Sequence, residues 1–414
     1  MTRLDSVDLH VDIAGETVLA GRVQFNRRRG ALSSTMFQYE PEYLANALAY
    51  EVDPRFGLYS GSQQATGLPG AFSDCAPDRW GRNLVLKRER ALALHEQRAQ
   101  RSLDDVDYLV AVSDATRQGA LRFRRNSESP FLDPDHDVPK MLRLAELMRA
   151  SEVAARDEGD QSLAAVRMLL DAGTGSLGGA RPKAAVKGDR GELLIAKFPH
   201  PEDDWDVMAW EATALDLAMA AGVAVPTYRL TPVDGRNVLL LDRFDRTPDG
   251  ARIGYMSAMT VLERGDGAGG DYVEIAEAIE EMGGRVKDDL GELYRRAVLS
   301  VGLHNTDDHL RNHGLLHAES GWALSPAFDI NPEPDPKARQ TTIAGASHHG
   351  DESEGLRELA RACRLSPSAA RSERERIADI LDGWRDAAEV NRVRGSEIAR
   401  FADEIESGIA VLRS

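Results

Sequence analysis

The sequence predicts an α+β fold in which strands dominate the beginning of the chain and helices dominate its second half. Apolar residues alternate with polar ones over residues 7–25, a pattern that indicates a pair of strands joined by a tight turn. Apolar residues recur at helical spacing over 142–170 and again over 290–301. Short apolar runs at 193–198 and 238–241 are typical of buried strands. We therefore expect strand-rich and helix-rich parts within one chain.

The length of 414 residues allows two or three domains, each with its own core. Residues 126–139 contain Pro and Ser and lack periodicity, which favours a boundary there. We expect a β-rich N-terminal subdomain with a basic helix over 1–130. A part with a glycine-rich loop should follow over 131–245, and a helical part over 246–414.

The net charge of −17 is unevenly distributed along the chain. Residues 1–125 carry 17 Lys and Arg against 16 Asp and Glu, which leaves 34 basic and 52 acidic residues for the remainder. Because a strongly acidic surface repels the phosphate backbone, direct binding of nucleic acid by the larger part is disfavoured.

The cysteine content and the hydropathy of the chain indicate its compartment. Two cysteines, Cys75 and Cys363, are too few for a disulfide framework, which fits a reducing environment. The first residues lack the apolar core of a signal peptide, and no apolar run approaches the roughly 20 residues of a membrane span. We expect a cytoplasmic protein without membrane contact.

A polar loop over residues 304–312 follows the helical segment that ends near Gly302. Asp307 and Asn312 lie five positions apart, the separation that protein kinases use in H-R-D-L-x-x-x-N, where Asp accepts the hydroxyl proton and Asn binds magnesium. Asp329 follows an apolar pair 17 residues later, where a kinase has its metal-binding Asp. Hard oxygen ligands of this type suit Mg²⁺.

The same region contains four histidines, which suggest a zinc cluster as an alternative. They are His304, His309, His313 and His317. No cysteine accompanies them, and their spacing matches no common zinc pattern. The kinase interpretation therefore depends on motifs earlier in the chain.

Residues 173–183 satisfy the pattern G-x-G-x-x-G but do not predict a Rossmann fold or a Walker loop. A helix precedes the loop and a strand follows it, the reverse of a Rossmann unit, and the Gly-Lys-Ser/Thr of a Walker loop is missing. Kinases place a glycine-rich loop between strands, where backbone N–H groups approach phosphate oxygens. A plain flexible turn is the alternative.

Further kinase-type signals follow this loop in functional order. Lys197 ends the strand over 193–198, and Glu211 lies on the next predicted helix, where it can pair with the lysine. The strand over 238–241 leads into Asp242-Arg243-Phe244, which has the character of a hinge whose backbone reads adenine. Along the chain the motifs follow the order glycine loop, lysine, glutamate, hinge, catalytic loop and metal aspartate. This is the functional order of a kinase, so a chance occurrence of all these motifs is a poor explanation.

With these motifs in place, the chain resembles the HipA family of bacterial serine/threonine kinases, the toxins of type II HipA/HipB-like toxin–antitoxin systems. The resemblance extends over nearly the whole chain. Its most specific stretches are Gly175-Ser176-Leu177-Gly178-Gly179-Ala180-Arg181-Pro182-Lys183, Asp242-Arg243-Phe244-Asp245-Arg246 and Thr306-Asp307-Asp308-His309-Leu310-Arg311-Asn312.

The resemblance implies a two-lobed protein-kinase-like fold with a small N-terminal β-rich subdomain and a helical C-terminal lobe. It implies Asp307 as catalytic base, Asn312 and Asp329 as Mg²⁺ ligands, and Ser176 as the site of autophosphorylation. The implied ATP contacts are Gly178, Gly179, Ala180, Arg181, Pro182, Lys183, Lys197, Asp242, Arg243, Phe244, His309 and Asn312. Asp242 departs from the glutamate that the family more often has at the hinge.

The resemblance also implies partners. A HipB-like helix-turn-helix antitoxin would supply the DNA contacts, so that DNA is bound only indirectly. The resemblance also implies a protein substrate, which in some family members is an aminoacyl-tRNA synthetase. A small-molecule phosphotransferase shares the Asp307, Asn312 and Asp329 pattern, and a non-catalytic nucleotide-binding co-repressor is the other alternative.

Overall fold

The computed structural model describes residues 3–132, 138–156, 159–173 and 181–414, with side chains described from residue 163 onward in the third range. The chain forms two compact units. The first unit comprises Met1–Glu202 and Val233–Met256, and the second comprises Asp203–Pro232 and Ser257–Ser414. These units divide the chain at other positions than the predicted three parts, and the three-part division stays a prediction.

Strands and helices have the following bounds. The strands are β1 (Ser6–Ile13), β2 (Glu16–Arg28), β3 (Ala31–Tyr39), β4 (Gln63–Thr66), β5 (Leu121–Arg124), β6 (Lys183–Lys187), β7 (Leu193–Lys197), β8 (Tyr228–Val233), β9 (Arg236–Asp242), β10 (Tyr255–Ser257), β11 (Gly270–Asp271), β12 (Gly314–Ala318), β13 (Gly321–Leu324) and β14 (Thr341–Thr342). The helices are α1 (Pro41–Leu44), α2 (Gly70–Asp74), α3 (Arg79–His95), α4 (Asp105–Leu109), α5 (Leu144–Arg156), α6 (Gly159–Asp171), α7 (Val207–Ala220), α8 (Ala258–Val261), α9 (Tyr272–Met282), α10 (Val286–Gly302), α11 (His349–Ala362), α12 (Pro367–Leu381), α13 (Trp384–Val390) and α14 (Gly395–Arg413).

The first unit begins with an antiparallel sheet of order β4-β3-β2-β1-β5. The predicted hairpin is confirmed, because β1 and β2 are joined by a turn in which Ala14 and Gly15 both have positive φ. Gly21 allows the close approach of β3, since a Cβ at this position would lie 2.2 Å from the Gln38 carbonyl oxygen. Val7, Leu9 and their neighbours on the same face are buried, as the alternation predicts.

A second antiparallel sheet in the first unit carries the predicted ATP lysine. β7 pairs with β6 on one side and with β9 on the other, and Lys197 lies opposite Lys183. Helices α3, α5 and α6 cover this sheet through a continuous apolar core that includes Leu84, Leu147, Leu169 and Leu240. The predicted order of helix, glycine loop and strand is confirmed on both sides of the loop, by α6 and β6.

The second unit is built around α10. This helix packs against α11, α12 and α14, and nearly every residue of its second half is buried. It ends at Gly302, as the sequence predicts. Gly408 of α14 allows close packing here, because a Cβ at this position would lie 2.4 Å from the Val301 carbonyl oxygen. The polar loop over 304–312 therefore starts from a tightly held helix end.

Aromatic residues fasten α7 to the C-terminal helices of the second unit. Trp210 stacks on Phe401 with ring centroids 3.9 Å apart, and Trp384 lies beside Trp210. The Asp206 backbone N–H donates to Glu397 Oε2 at 3.1 Å. Among the described residues, no helix is long and apolar enough to cross a membrane.

Candidate active site

The loop over 304–312 is shaped by the end of α10 and by a returning segment of the chain. The Asn305 N–H donates to the Ser300 carbonyl at 2.9 Å, and His304 takes a left-handed conformation with φ of +52°. The backbone N–H groups of Gln340 and Thr341 donate to the carbonyls of Thr306 (3.2 Å) and Asp308 (3.0 Å). The loop is therefore fixed at both its beginning and its middle.

Asp307 presents its carboxylate at the surface of this loop. The Gln340 side-chain amide donates to Asp307 Oδ1 at 2.6 Å, and Asn312 Nδ2 donates to the Asp307 carbonyl at 3.3 Å. Desolvation by the packed loop raises the pKa of Asp307, and the nearby carboxylates of Asp329 and Asp308 raise it further, against the influence of His309. A raised pKa makes a carboxylate a better proton acceptor, as a general base requires.

Asp308, next to the predicted base, has a structural role instead of a catalytic one. It is buried, accepts a hydrogen bond from the Tyr272 hydroxyl, and has His313 Nε2 3.0 Å from its Oδ1. Burial alone would raise the pKa of Asp308, but His313 and Tyr272 outweigh it and hold the pKa below its usual value. The carboxylate of Asp308 is thus kept ionised, and its contacts with Tyr272 and His313 anchor the loop to the interior of the second unit.

Asp329 lies close enough to Asp307 to raise its pKa. Its backbone has a positive φ of +58°, and Asn331 Nδ2 donates to Asp329 Oδ1 at 3.3 Å. Asn331 also donates its backbone N–H to Asn305 Oδ1 at 3.3 Å, which fastens this segment to the polar loop. The structure therefore brings the predicted base and the predicted metal aspartate together across 22 residues of sequence.

Asn312 and the segment around Asp329 share one small cavity of about 20 Å³, enough for a single water molecule. Its lining includes Asn305, Asp308, Asn312, Phe328 and Ile330. Carboxylate and amide oxygens are the ligands that Mg²⁺ prefers. The carboxylates of Asp329 and Asp308 contribute to the raised pKa of Asp307, after desolvation, and a divalent cation would offset their charge. The residues present therefore fit Mg²⁺.

Arg339, which the sequence motifs did not indicate, holds the beginning of this loop through hydrogen bonds to backbone carbonyls. Arg339 has a side chain with 0% exposure, pairs with Glu352, and donates to the carbonyls of Asn305 and Ser300, each at 2.9 Å. It also donates to Ser300 Oγ at 2.8 Å. No motif marks Arg339 in the sequence. Its neighbour Gln340, which contacts Asp307, was missed for the same reason.

The predicted ATP residues of the first unit lie on and beside its second sheet. Lys197, the last residue of β7, is 6% exposed, as a buried strand lysine should be. Lys183 forms a buried ion pair of 2.8 Å with Asp78. The Pro182 carbonyl accepts a hydrogen bond from Phe198 at 2.9 Å, which fixes the start of β6. Arg181 is half-buried.

The predicted hinge starts at the end of β9, whose last residue is Asp242. Arg243 is buried and binds Asp245 through two nitrogens while donating to the Thr116 carbonyl at 2.9 Å. Burial opposes ionisation of Asp245, but Arg243 and Arg246 hold its pKa well below the usual value. Arg243 thus has a structural role in the first unit, and any contact of its side chain with nucleotide stays a prediction. The ring of Phe244 lies beside that of Tyr255, with centroids 6.2 Å apart.

Several predictions at the glycine-rich loop fall outside the described residues. These are Ser176, Gly178, Gly179 and Ala180. Glu211 is buried on α7 in the second unit, while Lys197 belongs to the first, and their pairing stays a prediction.

The four histidines considered as a zinc cluster do not come together. Among the described residues, the group with metal-binding geometry contains His304 alone of the four. His313 contacts Asp308, and His317 packs edge-on against Trp322. The alternative of a zinc site built from all four is therefore wrong.

Comparison with known proteins identifies the family. The model of the HipA-like C-terminal domain matches residues 175–389, more than half of the chain, and this range includes the glycine-rich loop, the polar loop and Asp329. The chain belongs to the HipA family.

Individual relatives are distant. A putative kinase, Y4mE of Sinorhizobium fredii, is 23% identical over 146 residues, and the match spans about a third of each protein. HipA of Shewanella oneidensis, solved as a complex with HipB and operator DNA, is 13% identical with a TM-score of 0.66 and covers 98% of this chain and 96% of its own. The kinase CtkA of Helicobacter pylori is 14% identical with a TM-score of 0.39, covering 56% of this chain and 92% of its own.

The likeness to the Shewanella HipA extends over nearly the full length of both chains. It confirms the fold class predicted from the sequence, an α+β, two-lobed kinase-like fold. The HipA-family assignment made from the three motif stretches is confirmed as well.

Proposed function

We propose that the chain is an ATP- and Mg²⁺-dependent serine/threonine protein kinase of the HipA toxin type. The observation that carries the proposal is the convergence of Asp307, Asn312 and Asp329 on one acidic cluster in the second unit of a HipA-family protein. Because Asp307 and Asp329 are far apart in sequence, only the folding of the chain brings them close together.

Each residue has a role that follows from its surroundings. Asp307, which is oriented by Gln340 and has a raised pKa, accepts the proton of a substrate hydroxyl. The oxygen of that hydroxyl bonds to the γ-phosphorus of ATP while the bond between the γ-phosphorus and ADP breaks. Asn312 and Asp329 would hold Mg²⁺, and the ion would supply positive charge against the phosphate oxygens. Lys197, on the strand that follows the glycine-rich loop, binds the phosphates.

The remaining ATP contacts are assigned to the loop and the hinge. The loop from Gly178 to Lys183 contacts the phosphates, with backbone N–H donors from its residues other than Pro182, and the backbone of Asp242 to Phe244 reads adenine. His309 precedes a 3₁₀ turn that leads to Asn312, and it contributes to the ATP site by its position beside Asp307. Ser176 is the site of autophosphorylation.

The substrate is a protein hydroxyl, and the partner is a HipB-like antitoxin that carries the DNA contacts. The Shewanella HipA was solved with HipB and operator DNA, which supports such a partner here. The acidic charge of this chain disfavours DNA binding by the chain alone. DNA affinity should appear only in the complex, and tight binding of duplex DNA by the isolated chain at moderate salt would contradict this assignment.

The deciding experiment is a γ-labelled ATP assay with and without Mg²⁺, followed by mapping of phosphorylated residues. Label should reach Ser or Thr of a protein only with Mg²⁺ present, and Asp403→Asn, an exposed carboxylate on α14, should behave as wild type. Transfer of label to metabolites alone would instead indicate a small-molecule phosphotransferase. Binding of ATP without any turnover would indicate a nucleotide-binding co-repressor.

A further inference from the structure

Three side chains from different elements of the second unit meet beside the polar loop. His304 follows α10, His349 is the first residue of α11, and Glu404 lies on α14. One ligand atom from each lies within 4.8 Å of the other two. His304 is buried, whereas His349 and Glu404 are 22% and 17% exposed, so an ion can reach the cluster from solvent. We propose that these three residues bind one divalent transition-metal ion, of the type of Zn²⁺.

The separations between the donor atoms suit a tetrahedral ion. His349 Nε2 lies 3.2 Å and His304 Nε2 lies 3.5 Å from Glu404 Oε2, and His304 Nε2 lies 3.2 Å from the Asp335 carbonyl oxygen. Bonds of about 2.0–2.2 Å in tetrahedral geometry place neighbouring ligand atoms roughly 3.3–3.6 Å apart. Two imidazoles and one carboxylate, with a carbonyl or water as fourth ligand, form a donor set that zinc accepts.

A carboxylate behind His349 orients its ring for binding. His349 Nδ1 lies 2.7 Å from Glu352 Oε2, and since a carboxylate only accepts, Nδ1 carries the proton. When the ring is neutral, Nε2 carries a lone pair that faces the Glu404 oxygen 3.2 Å away. These two acceptors are satisfied either by a proton on Nε2 or by a metal cation between them. The carboxylate–histidine–metal arrangement is the usual second layer of a zinc site.

A proton is the competing occupant. An imidazolium at His349 would satisfy Glu404 equally well, but it would place positive charge beside the ring of His304, whose centroid is 4.6 Å away. A metal ion instead binds both rings in their neutral form. Affinity for a metal therefore distinguishes the two occupants.

Occupancy of this site would be transmitted to the polar loop. His304 is three residues before Asp307, and Glu352 also pairs with Arg339, which donates to the Asn305 carbonyl. The ion would thus join α10, α11 and α14 at the point from which the loop starts. This site is separate from the Mg²⁺ ligands Asn312 and Asp329, and the proposal does not depend on kinase activity.

The test is a titration of the full chain with Zn²⁺ after dialysis against a chelator, by calorimetry and by competition with a chromophoric chelator. Wild type should bind one equivalent. Glu404→Gln and His349→Gln should each weaken binding at least tenfold, an estimate taken from the effect of even second-layer changes. The matched controls are the exposed neighbours, Asp403→Asn and His348→Gln, which should bind as wild type.

A second measurement follows the Tm, so that the test needs no substitution of the buried His304. Zn²⁺ should raise the Tm of wild type and of both controls, because the ion binds the folded state, and should raise the Tm of Glu404→Gln by less at the same Zn²⁺ concentration. Excess Mg²⁺ should not compete with Zn²⁺ for this site, since Mg²⁺ prefers an all-oxygen set. Absence of one-equivalent binding, or equal Zn²⁺ affinity in ligand variants and controls, would overturn the proposal in favour of the proton.

Discussion

The side-chain amide of Gln340 donates a hydrogen bond of 2.6 Å to the carboxylate of Asp307. The backbone N–H of Gln340 also donates to the Thr306 carbonyl, so the donor is fixed relative to the loop that carries the acceptor. One oxygen of the Asp307 carboxylate, Oδ1, is thereby held. A residue outside every recognised motif thus orients the predicted base.

Gln340→Ala should shift the acidic limb of the pH–rate profile to higher pH and lower kcat more than it raises KM. Hydrogen bonding to the charged form favours that form, so loss of the donor raises the pKa of Asp307 beyond its already raised value. The base acts when deprotonated, hence activity is lost as pH falls through that pKa. Steady-state kinetics across pH check this. Gln64→Ala, an exposed glutamine on β4, is the control, and an unmoved acidic limb in Gln340→Ala would argue against orientation by this residue.

Asp307→Asn should lower phosphoryl transfer by about 10²–10⁴-fold, the usual contribution of a general base. The amide keeps the shape of the side chain but cannot take a proton, so ATP affinity should remain close to that of wild type. Single-turnover transfer and calorimetric ATP binding measure the two quantities separately. A wild-type rate of phosphoryl transfer in Asp307→Asn would show that Asp307 is not the general base.

Asp329→Asn should weaken Mg²⁺-dependent nucleotide binding, because it removes charge directly from the ion. Nucleotide titrations with Mg²⁺ and with a chelator should differ strongly for wild type and only weakly for the variant. Equal Mg·ATP affinity for wild type, Asp307→Asn and Asp329→Asn would contradict the division of roles between these two aspartates.

Arg339→Met should destabilise the protein by about 3–5 kcal/mol, since it leaves Glu352 buried without its cation. Urea unfolding at neutral pH gives the free energy of unfolding. Arg361→Met, which removes an exposed partner of Glu358 on α11, provides the control, and about 1 kcal/mol or less is expected there. Similar losses in both variants would show that Arg339 contributes no more than a surface ion pair.

Ser176 should act as a self-modification switch. Phosphorylation adds roughly −1.5 to −2 charges at neutral pH, which would repel the ATP phosphates from the glycine-rich loop. Prolonged incubation with Mg·ATP should therefore modify Ser176 and abolish nucleotide affinity, as phosphopeptide mapping and ATP titration would show. The same rate of decline in wild type and in Ser176→Ala would mean that no such switch exists.

The sequence by itself determined those features that depend on short separations along the chain. The hairpin of β1 and β2, the end of α10 at Gly302 and the buried strand that ends at Lys197 follow from local periodicity and turn chemistry. Asp307 and Asn312 lie within one loop, so their spacing alone indicated a shared site. The motif order along the chain predicted the family.

Only the tertiary structure decided which residues support that loop and which surround it. The contacts of Gln340 with Asp307, of Arg339 with Asn305 and of His349 with Glu404 join segments that are distant in sequence. Pairing of such charged and polar groups depends on how helices pack, and a single sequence carries no periodic signal for it. The same holds for the burial of Arg243 against Asp245, which the hinge motif did not predict. Desolvation, which raises the pKa of Asp307, is a property of the packed chain and does not exist in the sequence alone.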